Sequence, residues 1–140
     1  NINGYYIVEN NDFIYNPRIS TLAPVGPINR NKLNRTGIMS PLYTIFRGSN
    51  VDLGFLEWYF QSNHWHRYMK LNGDSGARAD RIAIKDSTFF EMPIKTPVNL
   101  KEQVLIGETL EKFNQYITLH QRKLDHLQLQ KKALLQQMFV

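Results

Sequence analysis

Residues 100–139 read LKEQVLIGETLEKFNQYITLHQRKLDHLQLQKKALLQQMF, and the fold class turns on how apolar side chains are spaced within this run. Ile106, Leu110, Phe113, Ile117, Leu124, Leu127, Leu134 and Met138 are apolar, and His120 and Lys131 complete an unbroken alternation of four- and three-residue steps. That repeat is the seam of a heptad coiled coil. A helix of this length rises about 1.5 Å per residue and extends on the order of 60 Å, longer than a 140-residue globule requires. Its apolar stripe therefore needs cover from a partner. Asn99, with Glu102 three residues later, marks the start in the manner of a capping box, with Asn standing where Ser or Thr is usual. Gly107 is a weak point near that start, costing about 1 kcal/mol relative to alanine, unless it admits close packing against the rest of the domain.

The other residues, of a chain 42 % hydrophobic overall, suffice for one domain with a modest core. The expected architecture is α+β: a small mixed domain over residues 1–98, then one long C-terminal coiled-coil helix over 99–140. There is no cysteine, hence no disulfide framework, thiolate metal cluster or cysteine nucleophile, and the expected compartment is the reducing cytoplasm. No stretch approaches the roughly 18 apolar residues of a membrane span, and no basic-then-apolar leader opens the chain. The formal net charge is +5 and the pI about 9.5, which favours an anionic partner. Distribution is more informative than the total. Between Phe13 and Val51 there is no Asp or Glu, whereas Arg18, Arg30, Lys32, Arg35 and Arg47 all lie there, uncompensated by close neighbours in sequence. Such a stretch is either a solvated loop face or a nucleic-acid footprint.

In chain order, Tyr5 to Val8 and Phe13 to Tyr15 are short strand-like runs around the turn-forming Glu9-Asn10-Asn11-Asp12, and a hairpin is expected. Asn16-Pro17 ends the second strand, since proline lacks the ladder N–H. Ala23 to Asn34 is expected to be a long irregular loop carrying Arg30 and Lys32, with Arg35 following. Ile38 to Ser40 and Leu42 to Arg47, split by Pro41, read as two short strands or one interrupted strand. Asn50 or Asp52 caps a core-facing helix through Leu53, Leu56, Tyr59 and Phe60, which continues after a break near Ser62-Asn63 with Trp65, Tyr68 and Met69. Asn72-Gly73-Asp74-Ser75-Gly76 is a strong turn signal leading into Arg78 and Arg81. Ile82 to Ile84 and Phe90 to Ile94 are strand candidates, the latter placed at an edge by Pro93 and Pro97.

Catalytic constellations are absent from the pattern. Tyr15-Asn16-Pro17-Arg18 is similar to the Asn-Pro-Pro-aromatic motif of amino-methyltransferases, yet the second proline and the aromatic are missing and no glycine-rich cofactor turn is present. His64 and His66 would face one metal only on a strand, because i and i+2 diverge on a helix. There is no nucleophile elbow and no P-loop. No metal site, cofactor or catalytic residue is assigned.

Several segments together resemble one family, the DNA-specificity subunits of type I restriction-modification enzymes. The residues that carry the resemblance are Tyr15-Asn16-Pro17-Arg18-Ile19-Ser20, Gly26-Pro27-Ile28, Gly37-Ile38-Met39-Ser40-Pro41-Leu42-Tyr43, Gly76-Ala77-Arg78 with Arg81-Ile82, and Met92-Pro93-Ile94 leading into Glu102-Gln103 and Ile106-Gly107. The tail from Ile117 to Leu124, with Leu127, Lys131-Lys132 and Leu134 to Phe139, is the most family-like part. Family members carry two target-recognition domains, each followed by a long helix, and the helices pair antiparallel as a spacer. This chain has one helix and begins at Asn1 without the segment that normally precedes the strand at Tyr5, so it is similar to the C-terminal portion of the second half.

The resemblance implies a non-catalytic subunit that reads one half of a split double-stranded DNA target. Methyltransferase subunits would dock on the helices, and a separate restriction subunit would act as the motor that cuts. Lys and Arg would hold phosphates while a smaller set of side chains reads base edges. The residues assigned to DNA are Arg18, Arg30, Lys32 and Arg35 in the first loop, and Ser75, Arg78 and Arg81 around the second; Asn16-Pro17-Arg18 also fits simple scaffolding. Ile106, Leu110, Phe113, Ile117, His120, Leu124, Leu127, Lys131, Leu134 and Met138 are assigned to the seam, whose partner is the other half of the subunit or a second copy. The rival is a coiled-coil assembly module that does not bind DNA.

Overall fold

The computed structural model describes residues 4–74 and 80–139. Five short strands and four helices follow in the order β1 (Tyr6–Val8), β2 (Phe13–Tyr15), β3 (Ile28–Arg30), β4 (Gly37–Met39), β5 (Thr44–Phe46), α1 (Leu53–Gln61), α2 (His66–Asn72), α3 (Asp86–Phe90) and α4 (Leu100–Met138). The class is α+β: small antiparallel sheets and short helices, then one long C-terminal helix. No described helix is long and apolar enough to cross a membrane.

The strands pair otherwise than the local pattern suggests. β1 pairs with β4, and β2 lies between β3 and β5, all antiparallel. The Glu9–Asp12 turn exists, but it does not close a β1–β2 hairpin. Asn11 takes a left-handed φ of 70°, and the Asp12 carboxylate accepts the Glu9 N–H at 2.7 Å. The pairing of β2 with β3 then runs on into the turn through Asn11 N–H to Asn31 O and Asn31 N–H to Asp12 O, both 2.8 Å. Both edges of β2 are thereby occupied, and β1 must pair elsewhere. The expected irregular loop from Ala23 to Asn34 also contains a strand, β3, with Tyr15 opposite Ile28 and Phe13 opposite Arg30.

The core gathers on β2. Phe13 and Tyr15, two residues apart on a strand and so on one face, are buried together with Val25, Ile28, Leu56, Phe60, Trp65, Met69, Ile82, Phe89 and Met92. Phe13 stacks on Phe46 at 5.4 Å between ring centres, and Tyr15 on Phe89 at 5.1 Å. The polar tips inside are satisfied: the Tyr15 hydroxyl donates to Val25 O at 3.0 Å and Trp65 Nε1 to Phe60 O at 3.0 Å. Burial pushes the Tyr15 hydroxyl far above its ordinary pKa of 10.0. Gly26 has a φ of 83°, and a Cβ there would strike the Asn16 carbonyl oxygen, so this crossing over β2 requires glycine.

The segment from Ile82 to Ile94 departs further from expectation. No strand forms at 82–84; Arg81 and Ala83 instead make isolated bridges, Arg18 opposite Arg81 and Asp74 opposite Ala83. The expected strand from Phe90 to Ile94 does not form: Phe90 closes α3 and residues 91–94 are irregular, with Met92 and Ile94 packed on the core.

α1 starts as expected at Asp52, whose carboxylate accepts the Phe55 N–H at 2.8 Å. α4 starts at Asn99, whose side-chain oxygen accepts the Lys101 N–H at 2.9 Å. Gln103, only 4 % exposed, joins these two helix starts. Its Oε1 accepts the Asp52 N–H at 2.9 Å, and its Nε2 donates to Pro97 O at 2.7 Å. One turn on, a Cβ at Gly107 would lie 2.8 Å from Phe55 N and 3.0 Å from Gly54 C, so this glycine does admit close packing. The chain divides into two compact units, Asn1–Gly107 and Glu108–Val140. Within the second, every described residue from Lys112 to Phe139 is exposed.

Candidate nucleic-acid interface

Arg18 and Arg81 are far apart in sequence and directly opposite in space, in one antiparallel bridge. Ile19 N–H donates to Asp80 O at 2.9 Å and Ile82 N–H to Pro17 O at 3.0 Å. These bonds flank the pair rather than joining it, which is the closer of the two antiparallel geometries, with Cα atoms about 4.5 Å apart. Both side chains leave the same face. Like charges opposite each other on a β ladder are unfavourable, and little compensates them here. Arg18 is exposed and has no ion pair among the described residues, while Arg81 has Asp80 at 3.9 Å, a surface contact worth little. Asn16 holds the bend by accepting the Arg18 N–H at 3.0 Å, so its side chain serves the scaffold. Two forked guanidinium groups on one ladder rung suit a phosphate.

The other cations of the acid-free stretch divide into two groups. Arg30, Lys32 and Arg35 line an open groove of about 530 Å³ whose remaining walls include Val8, Ile14, Leu33, Ile38 and Met39. Arg30 shares the face of β3 with buried Ile28 and therefore reaches Glu57 on α1, at 2.8 Å; Lys32 meets the other oxygen of that carboxylate at 2.7 Å. Glu57 offsets one of the three positive charges. Arg30 Nε is buried and without a hydrogen-bond partner among the described residues, whereas Lys32 stays half exposed and Arg35 has no ion pair among them. The groove thus presents apolar walls with a net positive rim.

Arg47, though more than half exposed, is ion-paired within its own domain. It meets Glu9 at 2.6 Å and Asp12 at 2.7 Å, tying β5 to the turn before β2. Burial pushes the Asp12 carboxyl up, but the bonds from Arg47 and the Glu9 N–H outweigh that and hold it below its ordinary pKa of 3.8. Three of the five cations that have no acidic neighbour in sequence therefore have one in space. Glu9, Asp12 and Glu57 are the residues sequence reasoning missed, and no local signal marks them, since each pairing spans at least 25 positions between Glu57 and Lys32 or more elsewhere.

Ser75 and Arg78 lie outside the described residues. His64 is exposed with Nδ1 3.0 Å from Ser62 Oγ, and His66 opens α2. No group of three metal-ligating side chains forms among the described residues. On α4, Ile106 is half-buried, while Leu110, Phe113, Ile117, Leu124, Leu127, Leu134 and Met138 are exposed, as are His120 and Lys131. Leu119 and Leu129 are exposed off the seam, where the heptad reading did not place apolar residues.

Set against protein-family models, curated proteins and solved structures, the chain matches none.

Proposed function

We propose that this chain is a non-catalytic DNA-reading module of the type I specificity-subunit kind, acting in the cytoplasm on one half of a bipartite target. The observation that carries the reading is the Arg18–Arg81 rung, an internal like-charge pair with a cost to the fold and an obvious use toward phosphate. The groove rimmed by Arg30, Lys32 and Arg35 adds a second positive surface whose apolar walls suit a base edge or a thymine methyl. The long helix supplies the docking surface for methyltransferase subunits, through which the restriction subunit is recruited.

Salt-dependent mobility shift of a random duplex by the full chain, at salt from 50 to 200 mM as a rough range, tests the reading. Retarded DNA with a log–log salt slope of several units is expected. No shift at the lowest salt leaves the assembly-module reading, which the internal pairing of Arg30, Lys32 and Arg47 favours. Co-purification with a methyltransferase subunit tests the docking role.

A further inference from the structure

Three aromatic rings and one carboxylate meet in a small hollow distinct from the Arg18–Arg81 rung and from the groove rimmed by Arg30, Lys32 and Arg35. Tyr6 comes from β1, Thr44 from β5 with Tyr43 just before it, and Asp86 and Phe90 from α3; together they line a cavity of about 200 Å³. Asp86 and Phe90 are four residues apart on a helix and so share one face. Their helix is anchored from behind, because Phe89 is buried and stacks on Tyr15, whose partner across the ladder is Thr44. Phe90 is held T-shaped against Phe46, with ring centres 6.4 Å apart, yet it stays 60 % exposed, and Tyr6 is 46 % exposed. Large rings left open to water around a charged oxygen suit a cation, since the face of an aromatic ring is its negative side.

The carboxylate is available to a ligand. Asp86 has no ion pair among the described residues, and the Thr44 hydroxyl donates to it only at a long 3.5 Å. Its neighbour Lys85 lines a different hollow, with Leu71 and Ile84, and is absent from the walls of this one. A carboxylate repels phosphate, so the cavity does not extend the positive surfaces. The donor set narrows the cation. No group of three metal-ligating side chains forms among the described residues, whereas a calcium ion takes about six to eight oxygens. A primary ammonium brings three N–H donors and a guanidinium five, and Asp86 is the one charged acceptor in the wall. A quaternary ammonium brings none and gains its attraction from ring faces. The cavity is also smaller than the roughly 300–1,000 Å³ of a site for a whole drug-sized ligand, so it holds a headgroup alone.

We propose that this cavity binds a quaternary ammonium headgroup, with Tyr6, Tyr43 and Phe90 around its methyl groups and Asp86 as its counter-charge. The site stands without the DNA reading, and its test contains no DNA. Titrating the isotopically labelled full chain with choline chloride should give saturable amide shifts confined to Tyr6, residues 43–45 and residues 86–90, with a dissociation constant on the order of 1 mM or tighter. The neutral alcohol in which carbon replaces the choline nitrogen should bind at least about tenfold more weakly. Phe90→Leu, which keeps apolar bulk and removes the ring face, and Asp86→Asn, at an exposed position, should each weaken choline about five- to tenfold with urea midpoints near wild type. A short peptide carrying trimethyl-lysine identifies the source: tighter binding than choline, lost without the methyl groups, makes the ligand a protein side chain, and weaker binding makes it a free small molecule. Equal binding of the neutral alcohol makes the cavity a plain apolar hollow, and methylguanidinium binding more tightly than choline makes it an arginine site. Either result overturns the proposal, as do shifts that are absent at roughly 50 mM choline or lie away from these residues.

Discussion

Replacing Arg18 by alanine should move fold stability and DNA affinity in opposite directions. On the bridge shared with Arg81 the Cβ atoms of the directly opposite pair are about 5 Å apart, so the two guanidinium groups are taken at a separation of about 6 Å. At that distance two unit charges repel by about 0.7 kcal/mol in water, and physiological salt screens roughly half of it. Removing one charge therefore stabilises the free protein by a few tenths of a kcal/mol, with little packing lost because Arg18 is exposed. A charge-assisted bond to phosphate is worth about 1.5–3 kcal/mol, so affinity should fall roughly 10- to 150-fold. The salt slope should fall by about 0.9, one phosphate's worth of released counterions. Urea melts and fluorescence anisotropy at four salt concentrations read the two quantities. Arg18→Lys should keep the slope and lose part of the affinity, since the charge remains but the fork does not. A lower urea midpoint combined with unchanged affinity for Arg18→Ala would falsify the clamp and make the rung a structural element.

Glu57→Gln frees Arg30 and Lys32 from their shared carboxylate, so DNA affinity should rise severalfold with a steeper salt slope in the same anisotropy assay. The same variant should lower the urea midpoint, because Arg30 loses its partner while its Nε is already unsatisfied. Arg47→Ala should lower thermal stability and leave the salt slope unchanged, since its charge is already taken up by Glu9 and Asp12. Asp12, held below its ordinary 3.8 in the fold, contributes stability that is present above that value and is lost as the pH falls through the lowered one; acid melts of Arg47→Ala should show a smaller loss below pH 4 than wild type. Gly107→Ala sets about 1 kcal/mol of improved helix propensity against a Cβ 2.8 Å from Phe55 N; overpacking costs about 1–3 kcal/mol, so a lower urea midpoint is expected.

What sequence made legible was local and periodic. The cap at Asp52, the break at Ser62-Asn63, the start at Asn99 and the full run of α4 follow from side chains within a few positions of one another. Strand partnership was not legible, because β1 and β2 have equally good local patterns and the choice between them depends on β3, fifteen residues beyond the turn and hidden in a proline-bounded loop. The same limit applies to charge. Arg30 and Arg47 look free in sequence because Glu57 and Asp12 reach them only after the chain has folded, and Arg18 and Arg81 look unrelated for the same reason.

These two outcomes for charge are connected. A basic chain that kept all its cations outward would bind any polyanion by counterion release and discriminate poorly, since phosphate contacts carry no sequence information. Here Arg47 is paired with Glu9 and Asp12 and Arg30 and Lys32 share a carboxylate, which leaves the opposed Arg18 and Arg81 and a partly neutralised groove with apolar walls. Under the proposed DNA-reading function, a small number of phosphate contacts would fix position and leave the groove to discriminate.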